Sequence, residues 1–185
     1  MAKLMNGNRV VTNEVRASYV HVVEPVKGNG SNDKERYSMS VIIPKEDKET
    51  INLINQAIDQ AITDGIGKFG GKKPNKAVLK LPLRDGDVER EEDAAYQNAY
   101  FLNCRNQTQP QVVDAKRHPI DPEAVYSGCY CKVSISFYAF NVEGNKGIAA
   151  SLGNIQFLRD GEALGGPRIS AADDFGEEEE DDFLD

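Results

Sequence analysis

The chain has 185 residues, 28% of them charged, and its 22 Lys and Arg face 30 Asp and Glu for a net charge of −8. That length suits one domain with a proper core. No apolar run approaches the ~18 residues of a membrane span, and the N-terminal MAKLMNGNR lacks the apolar stretch of a signal peptide, so a soluble protein that stays in a cytosol is expected.

Val10 to Val23 alternates as a strand, with Val11, Val15, Ala17, Tyr19 and Val23 on one face and Thr12, Glu14, Arg16 and Ser18 on the other. It is long enough to bend or carry a bulge. A polar tip, Gly28 to Asp33, returns the chain into Arg36 to Ile43, where Tyr37, Met39, Val41 and Ile43 share a face. Pro44 has no N–H for the ladder and suits a helix start. Glu46, Asp47 and Glu49 favour the helix N-terminus, and Ile51, Ile54, Ile58 and Ile62 form one apolar stripe up to Gly65. Short extended pieces follow at Val78 to Leu81, Tyr96 to Arg105 and Gln111 to Asp114, then the strongest strand, Val125 to Phe140. The turn Asn141 to Asn145 leads into a last strand over Gly147 to Leu158. Strands before and after a single strong helix predict a mainly β protein, an antiparallel barrel closed or nearly so with one principal α-helix.

Charge divides the chain more sharply than hydropathy. The thirteen residues Asp173 to Asp185 hold nine carboxylates and no cation, leaving 22 cations against 21 carboxylates elsewhere, a formal charge of +1. So dense a block of like charge repels itself and predicts a disordered acidic tail. Residues 161–172 read as a Gly-rich linker to it and residues 1–160 as the folded domain. A near-neutral body carrying a polyanion suggests that the tail imitates a nucleic acid.

Two further patterns point the same way. In Val125 to Phe140 the odd positions (Val125, Cys129, Cys131, Val133, Ile135, Phe137, Ala139) form a continuous apolar face for the core. The even positions carry Tyr126, Tyr130, Lys132, Tyr138 and Phe140 outward. Rings beside a cation suit a single nucleic-acid strand, whose bases stack and whose phosphates follow the charge. The alternative is a covering loop or helix that turns these rings into a second core. Phe101, Asn103 and Arg105 repeat the pattern on another strand. From Gly65 to Arg84 there is no acid but Lys68, Lys72, Lys73, Lys76, Lys80 and Arg84, a basic loop able to replace counterions on a bound strand, or else a solvated surface loop.

Enzyme signals are weak by comparison. Gly65-Ile-Gly-Lys-Phe-Gly70 fits a dinucleotide motif but follows a helix instead of a strand. The carboxylates Asp85, Asp87, Glu89, Glu91 and Asp93 could hold Mg²⁺ in a nuclease, yet Asp85-Gly86 is a turn signal and no base is fixed nearby. Three cysteines (Cys104, Cys129, Cys131) with two histidines do not give the paired spacing of a zinc site, so buried thiols and no metal or cofactor are expected.

The blocks PLRDGD (Pro82 to Asp87), YFLNCRN (Tyr100 to Asn106), QPQVVD (Gln109 to Asp114), YSGCYCKVSISFYAFN (Tyr126 to Asn141), NKGIAASLGNIQFLRDGEALGG (Asn145 to Gly166) and the acidic tail resemble a bacteriophage family of single-stranded DNA-binding proteins. These are similar to the helix-destabilising protein of short-tailed phages. The resemblance implies an OB-fold, ssDNA coating without catalysis in the cytoplasm of an infected bacterium, and no membrane. It also implies a tail that recruits phage or host replication and recombination proteins. A homodimer stays open. On the face argument the ssDNA-binding residues are Tyr126, Tyr130, Lys132, Tyr138, Phe101, Arg105, Lys72, Lys73, Lys76, Lys80 and Arg84. The tail set is Asp173, Asp174, Phe175, Glu177, Glu178, Glu179, Glu180, Asp181, Asp182 and Phe183, although Phe183 is followed by Leu184 and Asp185 instead of ending the chain. Two other readings stand beside it: the Mg-dependent nuclease, and an adaptor whose tail mimics DNA to inhibit a host enzyme.

Overall fold

Alternation makes much of this chain extended, and the computed structural model, which describes residues 1–27 and 34–164, shows where each run stops. The strands are β1 (Lys3–Met5), β2 (Arg9–Val11), β3 (Val15–Lys27), β4 (Glu35–Pro44), β5 (Arg84–Asp85), β6 (Ala99–Asn106), β7 (Val112–Val113), β8 (Tyr130–Val142) and β9 (Asn145–Arg159). The helices are α1 (Lys48–Asp64) and the single turn α2 (Gly86–Glu89). The expected hairpin tip at Gly28 to Asp33, the linker beyond Leu164 and the acidic tail lie outside the described residues.

Five strands close a ring in the order β8, β3, β4, β6, β9 and back to β8. Four of its seams are antiparallel, and the fifth, β6 to β9, is a parallel contact with one registered pair, Arg105 with Ser151. This is the five-stranded barrel of an OB-fold, as expected, antiparallel but for that one seam. The parallel seam follows because a ring with an odd number of strands cannot alternate direction all the way round.

The odd residues of β8, from Cys131 to Ala139, are buried as the alternation predicts, together with Met39, Val41 and Ile43 of β4, Leu102 and Cys104 of β6, and Ile148, Ala150, Leu152 and Ile155 of β9. Helix α1 lays Ile54, Ala57, Ile58, Ala61 and Ile62 into the same core, while Ile51 stays at its edge. Each large side chain so buried contributes about 1.5–3 kcal/mol. The Asp47 carboxylate caps α1 by accepting from Thr50 N–H at 3.2 Å and also accepts from Asn13 Nδ2 at 3.1 Å. Asp47→Ala is expected to destabilise the fold by about 1 kcal/mol, read as a shifted urea midpoint at unchanged slope.

The single strand expected from Val10 to Val23 is two. Thr12 is fully buried and its backbone still bonds Val133, but Asn13 N–H turns away to Thr50 Oγ1 at 3.1 Å, so the ladder breaks at the helix start. The register of β3 then shifts between Ser18 and His21, with Tyr19 at φ 47°. A bulge of this kind exchanges the faces beyond it. Val22 is therefore buried beyond it, not Val23, while Val10 is buried instead of Val11 because the break at Asn13 shifts the faces there.

Two other boundaries move. Lys76–Val78 is a 3₁₀ turn, leaving only Lys80 extended, in a bridge to Gly147. Val125 to Cys129 precedes β8 as a turn, because Gly128 N–H and the Cys129 carbonyl are spent on Ala17. The β8 to β9 turn falls where expected, with Glu143 (φ 53°) and Gly144 (φ 85°) forming a two-residue loop in the left-handed region.

Candidate nucleic-acid interface

The outer faces of the ring strands decide what can be presented to a ligand. Register places Ser38 of β4 beside Arg105 of β6, Arg105 beside Ser151 of β9, and Ser151 beside Ser136 of β8. Two residues further along β8, Tyr138 sits opposite Ala149. This row of small side chains is the floor of a groove. One part, about 360 Å³, is lined by Arg36, Arg105, Asn106, Thr108, Tyr138 and Ser151. The adjoining part, about 300 Å³, is lined by Lys80, Pro82, Arg84, Asn103, Phe140 and again Arg105.

The electrostatics are one-sided. No described carboxylate forms an ion pair with Arg36, Lys80 or Arg105, and Arg84 meets Glu89 only at 3.4 Å. Tyr138 is 42% exposed and, with Tyr19, one of the two aromatic rings most open to solvent among the described residues. In chain order the β4 and β6 strands are the second and third of the five ring strands, the face on which OB-folds receive oligonucleotides.

The groove thus gathers four of the residues singled out in the sequence: Lys80, Arg84, Arg105 and Tyr138. It also includes Arg36, Asn106 and Ser151, which sequence reasoning missed, although Arg36 alternates with Ser38 and Ser40 on a strand whose other face was recognised as core. Lys72 and Lys73 lie exposed in the loop after α1, and Lys76 forms an ion pair with Asp59 of that helix. Phe69 is buried and Lys68 donates to the Ala139 carbonyl at 3.1 Å, so the first part of the basic loop is tied to the barrel.

The other rings are engaged elsewhere. Phe101 has no exposed surface: Tyr96 packs on it edge to face at 5.1 Å, the Arg90 guanidinium lies 5.0 Å from its centre, and Ile42 and Ala99 complete a second small core. For this residue the covering-segment alternative holds, since the Ala94–Tyr96 turn leaves no ring face for a base. Tyr130 is flanked by Arg16 and Arg159, 5.4 and 3.9 Å from its centre. Arg159 makes a two-pronged bond to Glu14 at 2.8 and 3.1 Å, which holds that carboxyl below its usual range. The Tyr126 hydroxyl donates to Asp160 Oδ1 at 2.8 Å and accepts from Gly161 N–H at 3.0 Å. Arg16 also donates to the Glu162 carbonyl at 2.7 Å, so Tyr126 and Arg16 anchor the strap of residues 160–164. Lys132 stands half-buried on the outer face, two residues past Tyr130. These three β8-side residues are not brought to the groove of Tyr138 and Arg105.

Residues 8–184 match the family described as Enterobacter phage Enc34, ssDNA-binding protein. The chain belongs to that family. It is 31% identical over 173 residues to protein p50 of Acyrthosiphon pisum secondary endosymbiont phage 1, covering 90% of this chain and 92% of that one. The single-stranded DNA-binding protein from bacteriophage Enc34, solved in complex with ssDNA, has the same fold at a TM-score of 0.77 and 23% identity, over 89% of this chain and 93% of that chain. The single-stranded DNA-binding protein gp2.5 encoded by bacteriophage T7 is a more distant match, with a TM-score of 0.61 and 15% identity over 88% and 98%.

The family is described as one of ssDNA-binding proteins. Of the carboxylates in the nuclease reading, Asp85, Asp87, Glu89 and Asp93 have structural partners. Lys45 Nζ bridges Asp85 at 2.8 Å and Asp87 at 2.7 Å, which holds the Asp87 carboxyl below its usual range and raises the Lys45 ammonium. Asp87 also accepts from Asn98 N–H, and Asp93 from Ala95 N–H. Among the described residues no group of three His, Cys, Asp or Glu could hold a metal ion. The three thiols are buried and unpaired, and burial pushes that of Cys104 up to about 12.

Proposed function

We propose that the protein coats single-stranded DNA without catalysis and with little sequence preference, during phage DNA replication and recombination in the cytoplasm of the host bacterium. The observation that carries this reading is the groove itself: Arg36, Lys80 and Arg105, without carboxylate partners among the described residues, stand beside the open Tyr138 ring on the β4 and β6 side of an OB barrel. Phosphates would meet the cations and bases would stack on the ring, neither of which distinguishes one base strongly from another. Lys72 and Lys73 extend the cationic surface along the loop after α1. Fluorescence anisotropy of labelled oligo-dT against a duplex of equal length, at two salt concentrations, tests it. A clear preference for the single strand and an affinity that falls with salt are expected; equal binding of both, or no salt dependence, would overturn the reading.

The tail completes the proposal. Asp173 to Phe183 competes with DNA for the groove and, when displaced, recruits replication or recombination proteins through Phe175, Phe183 and its carboxylates. A tethered competitor acts at an effective concentration set by its linker, so removing residues 173–185 should tighten ssDNA binding by up to about tenfold and abolish partner capture. Unchanged affinity would show that the tail does not reach the groove.

A further inference from the structure

The ring is open beside its parallel seam. β6 and β9 share only the pair Arg105 with Ser151, and toward the start of each strand they take other partners: β6 pairs with β5 through Phe101 and Arg84, and β9 pairs with Lys80 through Gly147. Leu81, Pro82 and Leu83 span the gap between those two attachments. Beneath them lies the 300 Å³ part of the groove, with Phe140 and Pro82 among its walls, Ala149 in its lining and Asn103 at its edge. Its lining is apolar except for Ser38, Asn103 and the three cations Lys80, Arg84 and Arg105. Gly147 keeps the hollow in shape, because a Cβ there would stand 2.2 Å from the Lys80 carbonyl oxygen and push the spanning segment away.

A flat apolar hollow with a ring, one amide and a cationic lip is chemistry suited to an unpaired nucleobase. We propose that this slot receives one base of the bound strand, turned out of the stack that begins on Tyr138, while Arg105 and Arg84 hold the flanking phosphates and Asn103 bonds the base edge. The inference rests on the ssDNA-binding reading above and adds where the protein tells a single strand from a duplex. A paired base must first be unstacked and unpaired, at a few kcal/mol, before it can enter. A single strand carries no pairing term.

Ala149→Leu places a branched side chain in the slot without removing a cation, and Asn103→Ala removes the edge contact at an exposed position. Each is compared with the unaltered protein for binding to oligo-dT, to an abasic deoxyribose-phosphate oligomer of the same length, and to duplex. A base contact of this kind is worth about 1–3 kcal/mol, so Ala149→Leu should lose about tenfold on oligo-dT, Asn103→Ala less, and neither should change on the abasic oligomer. The ratio of single-strand to duplex affinity should fall with the first. Equal losses on oligo-dT and the abasic oligomer, or no loss on either, would overturn the slot. Thermal unfolding checks that Ala149→Leu is folded, and Asn103→Ala carries the comparison if it is not. If the unaltered protein binds neither single-stranded oligomer, it is the ssDNA reading that fails, and the slot with it.

Discussion

Tyr138→Ala is expected to weaken ssDNA binding by about 1–3 kcal/mol, roughly 5- to 150-fold in affinity, with no change in stability beyond a few tenths of a kcal/mol. Its ring is exposed on the outer face of β8, beside Ser151 and Arg105, and contributes little to the core. Removing it takes away a surface on which a base stacks and leaves the phosphate contacts in place, so the dependence of affinity on salt should stay as it was. Arg105→Ala is the complementary change. It should flatten the salt slope by about 0.7, the value for one contact to a single strand, while Tyr138→Ala should not alter it. Anisotropy titrations across a salt series separate the two. Equal slopes in both variants would move the phosphate path away from Arg105.

Phe101→Ala should act on the other quantity. The ring has no solvent exposure and is enclosed by Tyr96, Ile42, Ala99 and the Arg90 guanidinium, so truncation leaves a cavity and costs about 3–5 kcal/mol of stability. Urea unfolding should show the loss, whereas ssDNA affinity measured well below the midpoint should remain near that of the unaltered protein. A large loss of DNA binding at unchanged stability would instead mean that the Ala94–Tyr96 turn lifts off and exposes the ring. Phe101 thus divides a stacking role from a packing role with one substitution and two measurements.

That residue also shows how far the sequence could be read. Its outward position on β6 was correct by alternation, since Leu102 and Cys104 do face the core. Alternation reports the side of a strand, however, and says nothing about what another segment lays over it. The same extended run takes in Tyr96 by sequence, yet Tyr96 belongs to a 3₁₀ turn held by Asp93 that folds back onto the strand it precedes.

Tyr130 and Tyr138 lie in different surroundings for a different reason. They share parity on β8, but eight residues at ~3.3 Å each separate them by about 26 Å, and strand tilt carries such positions to different parts of a barrel wall. One meets Arg16 and Arg159 and the other meets Ser151 and Arg105. The core was legible because burial repeats along each element, as in α1 and the odd face of β8. The groove was only partly legible because it is assembled from β4, β6, β8, β9 and the Lys80 to Arg84 segment, whose adjacency depends on ring closure. Charge clustering found Lys80 and Arg84 without that knowledge. Arg36, alone among serines on its face, offered no cluster to find.

The order of strands around the ring has a consequence for synthesis. β3, β4 and β6 emerge first and can pair with one another as an open sheet, but its two outer strands have no ring partner until β8 and β9 exist. Exposed sheet edges are templates for wrong pairing. The missing strands arrive as a single hairpin joined by a two-residue turn, with β8 closing on β3 and β9 on β6. Both gaps are therefore sealed by one local unit made after the other ring strands, and the β8–β9 hairpin acts as a wedge that turns an open sheet into a barrel.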